Sequence, residues 1–170
     1  MLKKIAIAIV LFALPLGAMA QAKFGHVNSA QVITGMSEYT KLVSDLEAMQ
    51  KNYEDEINRT QEEFNRKYQE LVAQQDSLPK NILERRQREV QDMYERQQQF
   101  QQEAQQSLQK AQQDGMTPIM EKVSNAIKEI GTADGYVYIF DMSNGNSVIP
   151  FVGSQSTDIT QQVKTKVGAQ

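Results

Sequence analysis

The chain has 170 residues, with one histidine, no cysteine, 18 basic residues and 21 acidic residues, which give a formal net charge of −3. Without cysteine, we expect no disulfide and no lipid-anchored cysteine. A single histidine argues against a zinc site and against a Ser–His or Cys–His catalytic pair. The acidic balance argues against a nucleic-acid partner.

The first 20 residues predict a signal peptide. A short basic start is followed by an apolar run over residues 5–16 and by small residues at Ala18 and Ala20, which predicts cleavage after Ala20. A second pair of small residues, Ala20 and Ala22, leaves the cleavage site open by two residues. The apolar run is too short for a membrane span. The mature, exported chain keeps 16 basic residues against 21 acidic ones, a net charge of about −5.

Composition divides the mature chain into an arm and a body. Residues 37–130 are dense in Gln, Glu, Arg and Lys, whereas residues 21–36 and 131–170 hold most of the Gly, Thr, Ser and β-branched residues. The pattern predicts a small strand-containing body that is interrupted by a long helical insert. A body of about 56 residues without disulfides or a metal is marginal alone, so it predicts oligomerisation through the strands.

In chain order, residues 22–28 (AKFGHVN) predict a short strand, and Ser29 can cap one or two helical turns. The first arm helix is expected to start at Ser37, with Glu38 near the positive end of its dipole. Its apolar residues recur at steps of three and four, which predicts a weakly left-handed supercoil. Leu78, which precedes Pro79, marks the break.

The second arm helix is expected to resume near Asn81 and to stop at Gly131, with a kink or a division at Thr117–Pro118. It contains the glutamine-rich segment 97–113, in which Phe100, Ala104, Leu108 and Ala111 fall on one helical stripe. This spacing indicates an ordered helix rather than a low-complexity tract. Two long helices joined by a turn near residues 76–80 predict an antiparallel hairpin.

The C-terminal segment predicts the rest of the body. Residues 135–143 (GYVYIFDMS) are the strongest strand signal, residues 144–146 (NGN) favour a hairpin turn, and residues 147–153 (SVIPFVG) predict a second strand. Residues 156–167 (STDITQQVKTKV) predict a short closing helix capped by Thr157 or Asp158. Its inward-facing residues are expected to be Ile159, Val163 and Val167.

Two groups of arm residues are candidates for binding. The first is a basic cluster beyond the turn, which either touches anionic lipid headgroups or acidic segments of a protein partner or is a solvated helix start. It consists of Lys80, Arg85, Arg86 and Arg88. The second group lies beside the apolar seam and either contacts a protein partner or widens the packing stripe. It consists of Val72, Ile82 and Tyr94.

The opening residues 23–33 (KFGHVNSAQVI), the long hairpin, residues 135–141 and the closing residues 156–167 together resemble the Skp family, the OmpH-like outer-membrane protein chaperones. The resemblance implies a homotrimer whose strands meet in a central barrel and whose hairpins surround a cavity. It implies an ATP-independent periplasmic holdase for unfolded outer-membrane β-barrel proteins. Better-known members are strongly basic, so the resemblance does not extend to attraction by overall positive charge.

No catalytic, cofactor-binding or metal-binding residue is predicted. His26 lies in the predicted strand over residues 22–28, where ordinary packing or hydrogen bonding is expected, and the carboxylates fall on solvated helix faces. No glycine-rich phosphate loop is present. The alternative to a chaperone is an exported coiled coil that spaces or tethers components of the cell envelope.

Overall fold

The computed structural model describes residues 22–143 and 151–170. The described residues form strands and helices in the order β1 (Lys23–Val27), α1 (Ser29–Thr34), α2 (Ser37–Gln74), α3 (Lys80–Asp134), β2 (Tyr136–Asp141), β3 (Ser156–Asp158) and α4 (Thr160–Val167). The expected signal peptide with its cleavage site, and the hairpin turn at residues 144–146, lie outside the described residues. The fold is mostly helical with a small sheet, as the sequence predicts.

Helices α2 and α3 form the antiparallel hairpin. Leu42 lies against Gly115 near its base, and the rings of Tyr53 and Phe100 meet edge to face with centroids 5.8 Å apart. Nearer the turn, the Lys67 ammonium lies 3.1 Å from the Glu89 carboxylate. Because partners farther along α2 pair with residues earlier in α3, the helices run in opposite directions for roughly 55 Å, at about 1.5 Å per residue.

Helix α3 is longer than expected and is not divided. It passes through Pro118, while the Thr117 hydroxyl donates to the Gln113 carbonyl oxygen at 2.9 Å. The expected stop at Gly131 is wrong, because α3 ends only at Asp134. Gly135 has φ of 70°, a left-handed conformation that suits glycine, and its N–H donates to the Gly131 carbonyl.

The described strands form one parallel sheet in the order β2-β1-β3. Gly25 in β1 pairs with Ile139 in β2 and with Thr157 in β3. The strand predicted at residues 147–153 lies mostly outside the described residues, and its described part, 151–153, is not a strand. The third strand is instead β3, in a segment that was predicted to begin the closing helix.

The predicted cap of α1 is wrong. Asn28, and not Ser29, caps α1 through its Oδ1 atom, which accepts from the Gln31 amide at 3.1 Å. Ser29 instead donates its amide and hydroxyl to the Asp141 carboxylate at the end of β2. This contact joins the first turn of α1 to the sheet.

The other helix starts also differ from expectation. Ser37 is the first residue of α2, and its hydroxyl donates to the Glu38 carboxylate and does not accept a hydrogen bond from a backbone amide. Helix α4 begins at Thr160, whose amide donates to Asp158 Oδ1 at 2.8 Å. The N-cap position of α4 is Ile159, which is neither of the predicted cap residues. Asp158 accepts from the first amide of the helix one position earlier, and Thr157 lies in β3.

The hydrophobic core lies where the arm meets the body. Its buried residues come from β1, α1 and the α1–α2 junction, from the last third of α3, and from the C-terminal segment. They are Val27, Val32, Met36, Ile119, Val123, Ala126, Ile159, Val163 and Val167. The predicted inward face of α4 is confirmed. The core extends into residues that composition alone assigns to the arm, so the base of the arm is part of the body.

Candidate functional site

The predicted basic cluster lies at the start of α3, beside the turn. Lys80, Arg85 and Arg88 are exposed. The Lys80 ammonium is 3.9 Å from the Glu84 carboxylate, and Arg88 Nε is 3.3 Å from the Glu84 carbonyl oxygen. These exposed contacts leave the three cations accessible to an anionic partner.

Arg86 differs from the other members of the cluster. It is half-buried, and its Nη1 atom donates to Gln74 Oε1 at 2.8 Å, which ties the start of α3 to the end of α2. On the same side, Lys67 and Glu89 form the ion pair described above. The structure therefore places Arg86 in the packing of the tip and separates it from the three exposed cations.

The apolar candidates do not form one group. Val72 and Tyr94 are 47% and 48% exposed, whereas Ile82 is half-buried in the first turn of α3. The Tyr94 ring lies 6.3 Å from Phe64, which stacks on the exposed Tyr68. Tyr68 follows Phe64 at a step of four, which is one of the apolar steps that predict the seam, so the spacing does not reveal this exposed ring.

One side of the arm is acidic. Glu56, Glu63, Glu89 and Glu103 line a groove of about 500 Å³ between α2 and α3, together with Arg96. Met93 and Phe100 are among its apolar lining residues. We call this feature the acidic groove. Its excess of carboxylates makes it unfavourable for an acidic partner.

A polar pair interrupts the seam itself. Gln97 is only 7% exposed, and its Nε2 atom donates to Gln61 Oε1 across the hairpin at 2.6 Å. A buried amide needs such a partner because its desolvation is costly. The pair thus favours the alignment of helices in which residues 61 and 97 are opposite each other.

The body exposes an aromatic surface. Phe24 of β1 stacks on Tyr138 of β2 with centroids 6.3 Å apart, and Tyr138 stacks on Phe140 at 6.0 Å. Tyr138 is 60% exposed and Phe151 is 79% exposed. We call Phe24, Tyr138 and Phe140 the aromatic sheet face. Neighbouring exposed aromatic rings of this kind indicate an interaction surface.

His26 makes ordinary polar contacts. Its Nδ1 atom is 2.9 Å from the Ser156 hydroxyl, and its Nε2 atom is 4.0 Å from the Asp158 carboxylate. Hydrogen bonds from Thr160 lower the pKa of Asp158, with a smaller contribution from His26.

In residues 22–143 and 151–170, no group of three or more His, Asp and Glu residues is placed to hold a metal ion. No helix within those ranges has the length and hydropathy needed to cross a membrane.

Comparison with known proteins identifies the family. The family model described as outer membrane protein (OmpH-like) matches residues 23–167, which is most of the chain. The chain belongs to the OmpH-like family. The OmpH-like fold also occurs in a solved structure from Caulobacter crescentus CB15, a protein proposed to be an outer membrane chaperone (OmpH-like). That structure has a TM-score of 0.73 and 13% identity, with 88% of this chain and 86% of that chain covered. No curated protein sequence matches the chain.

The family membership confirms the resemblance that was inferred from the opening and closing segments. In this OmpH-like chain, the long hairpin and the small sheet carry the candidate binding surfaces. The hairpin carries the basic cluster, the acidic groove and the exposed Tyr68, Val72 and Tyr94 side chains. The sheet carries the aromatic face.

Proposed function

We propose that this OmpH-like protein is an ATP-independent periplasmic holdase, which encloses unfolded outer-membrane β-barrel proteins between helical arms and prevents their aggregation before insertion. The observation that carries the proposal is a long hairpin with almost no buried interior outside its base. Between residues 43 and 114, the buried residues are Gln97 and Ala104. Such a hairpin offers a large surface for other chains and little packing of its own.

The chemistry of the client fits this surface. An unfolded outer-membrane protein exposes alternating apolar residues and unpaired strand edges, which favour aggregation. Several weak contacts on more than one arm give avidity without a single tight site. A client that is held in this way stays releasable without nucleotide hydrolysis.

We propose a homotrimer in which residues 21–36 and 131–170, with the base of the arm, form the assembling body and residues 37–130 form the arm. The aromatic sheet face supports this assembly, because burial of Tyr138 and Phe140 against another copy removes exposed aromatic area from water. Sedimentation equilibrium tests it. A Tyr138→Lys, Phe140→Lys variant should dissociate to monomers, and a stable wild-type monomer would refute the trimer.

The signal peptide with cleavage near Ala20 belongs to the same proposal, because outer-membrane clients pass through the periplasm.

We further propose that the exposed cations of the tip contact anionic lipid headgroups or acidic client segments. The side chains of Val72, Ile82 and Tyr94 are proposed to contribute apolar client contacts. The partial burial of Ile82 makes its contribution the smallest of the three.

The deciding experiment dilutes a urea-unfolded β-barrel membrane protein into buffer and follows its aggregation by light scattering. A holdase suppresses the scattering near stoichiometric amounts without ATP. The alternative, a structural coiled coil that spaces or tethers envelope components, leaves the scattering unchanged. A soluble coiled coil of similar length serves as the control for nonspecific crowding.

A further inference from the structure

One surface stripe of α3 is free of charge. Tyr94, Gln98, Gln101, Gln105, Gln109 and Gln112 follow one another at steps of four, three, four, four and three. These steps keep the residues on one helical face. The stripe extends for roughly 27 Å at 1.5 Å per residue. We call these six residues the glutamine stripe.

The carboxamides of the glutamine stripe are available for binding. Among the described residues, the side chains of the five stripe glutamines make no hydrogen bond within the chain, and only Gln101 is half-buried rather than exposed. Other glutamines of the arm are engaged. Gln99 donates to Glu103 at 2.7 Å, Gln91 donates to Glu95 at 2.8 Å, and Gln97 donates to Gln61.

The stripe and the acidic groove occupy different sides of α3. Gln99, one residue after Gln98, lines the acidic groove with Glu103 and Arg96. A step of one residue turns a side chain by about 100° around a helix. None of the six stripe residues lines the acidic groove, whereas the buried Gln97 of the seam does. Helix α3 therefore carries the uncharged stripe on one side and part of the acidic groove on another.

We propose that the glutamine stripe binds extended, uncharged segments of unfolded polypeptide by hydrogen bonding to their peptide groups. The inference rests on the proposed holdase function and assigns the surface that performs it. Each carboxamide offers a donor and an acceptor, as each unpaired peptide group of an extended chain does. The lipid-facing positions of outer-membrane strands are apolar, so a neighbouring carboxylate finds no partner there and loses hydration. An uncharged surface avoids that cost.

The test uses two variants with the same added charge. Gln98→Glu, Gln105→Glu and Gln112→Glu place three carboxylates on the stripe side, whereas Gln99→Glu, Gln106→Glu and Gln113→Glu move the same pattern by one residue. In the light-scattering assay with the β-barrel protein, the stripe variant should need about tenfold more protein for half-suppression. The shifted variant should stay within about twofold of the wild type. Circular dichroism checks that both remain helical.

A third variant separates hydrogen bonding from the lack of charge. Gln98→Ala, Gln105→Ala and Gln112→Ala keep the stripe uncharged but remove its carboxamides, so suppression should weaken. Full suppression by this variant overturns the hydrogen-bonding role. Equal loss in the two Glu variants overturns the assignment to one side of the arm. A smaller assembly in sedimentation for the stripe variant alone would show that another copy of the chain covers the stripe, which also overturns it. Absence of suppression by the wild type overturns the holdase function itself, and this inference with it.

Discussion

At the scale of single residues, Asp141 illustrates how polar contacts join the body together. Its carboxylate accepts hydrogen bonds from the Ser29 hydroxyl and amide and from the Ser143 amide at 2.9 Å. Partial burial raises the pKa of Asp141, but these hydrogen bonds outweigh it and hold the pKa below the ordinary value of 3.8. The pKa of Asp158 is lowered in the same direction.

These lowered pKa values predict acid destabilisation. A carboxyl whose folded pKa lies below its unfolded pKa stabilises the fold above the unfolded pKa and loses that contribution as pH falls through the folded pKa. Through these two carboxyl groups, the free energy of unfolding should change little between pH 7 and pH 5. It should decrease when the pH is lowered below about 4. Urea titrations at pH 7 and pH 3 measure it. Asp141→Asn should cost about 1 kcal/mol at pH 7 and reduce the loss between the two pH values. An unchanged pH dependence in this variant would exclude Asp141 as a contributor.

The exposed cations of the tip predict salt-sensitive binding. Changing Lys80, Arg85 and Arg88 to Gln should weaken binding to anionic vesicles by about 1 kcal/mol per cation at low salt, with little effect at high salt. Flotation with phosphatidylglycerol vesicles measures the binding, and phosphatidylcholine vesicles are the control. Arg86→Gln is the matched variant, because Arg86 is held by Gln74. The Arg86→Gln variant should have a lower thermal stability than the wild type, and its effect on vesicle binding should be small. Normal binding by the triple variant would leave the cluster as a solvated helix start.

The buried Gln97 predicts a gain in stability on removal. Gln97→Leu replaces a buried amide by an apolar side chain, and Gln61 stays exposed and hydrated. We expect the free energy of unfolding to rise by about 1 kcal/mol, as measured by chemical denaturation. Gln98→Leu, one position away on the surface, should change it by less than about 0.5 kcal/mol. Destabilisation by Gln97→Leu would mean that the hydrogen bond to Gln61 contributes more than apolar burial at this position.

At the scale of helices and strands, the arm should be least stable near its turn. No residue from 71 to 90 is buried, whereas Ile119, Val123 and Ala126 are buried at the base. Local opening is easiest where buried contacts are few. Hydrogen exchange measured by mass spectrometry should therefore be faster in residues 71–90 than in residues 116–130. Equal protection in the two segments would indicate that further contacts stabilise the tip.

Elements with a strong periodic pattern could be predicted from the sequence, and elements defined by long-range pairing could not. The apolar steps of the arm predict α2 and α3 well, and the β-forming residues from Tyr136 to Phe140 predict β2. β3 contains Ser156, Thr157 and Asp158 and has no apolar residue, so only its pairing with β1 makes it a strand. The end of α3 was missed because both Gly131 and Gly135 are suitable stops, and only backbone geometry distinguishes them.

The candidate site also has features that could be predicted from the sequence and features that could not. The sequence locates the basic cluster next to the turn, but it cannot show that Arg86 reaches across to Gln74 while Arg85 remains exposed. Nor can it separate Tyr68 from the seam, because an exposed position one step beside the seam has nearly the same spacing. The glutamine stripe follows from the spacing in α3, but the acidic groove can be recognised only when the facing residues of α2, Glu56 and Glu63, are known.

At the scale of the whole molecule, the core that the body shares with the base of the arm determines how far the arm can be shortened. Deletion of residues 47–110, with a short turn joining Leu46 to Ala111, keeps every core residue. The product should remain folded and trimeric by sedimentation and should lose suppression of client aggregation. Deletion of residues 42–127 is the control, because it removes Ile119, Val123 and Ala126 from the core. That variant should fail to fold. A folded product of the larger deletion would show that the arm base is dispensable.

The parallel sheet has a consequence for the order in which the chain can fold. β1 is the first element after residue 22, but its partners begin only at Tyr136 and Ser156. Because synthesis starts at the N-terminus, the whole arm must be completed before β1 can pair with β2 or β3. The local contacts of the hairpin can form early, whereas closure of the sheet spans most of the sequence and should limit the folding rate. Until then the edges of β1 remain open to other chains, which is the same hazard that a holdase suppresses in its clients.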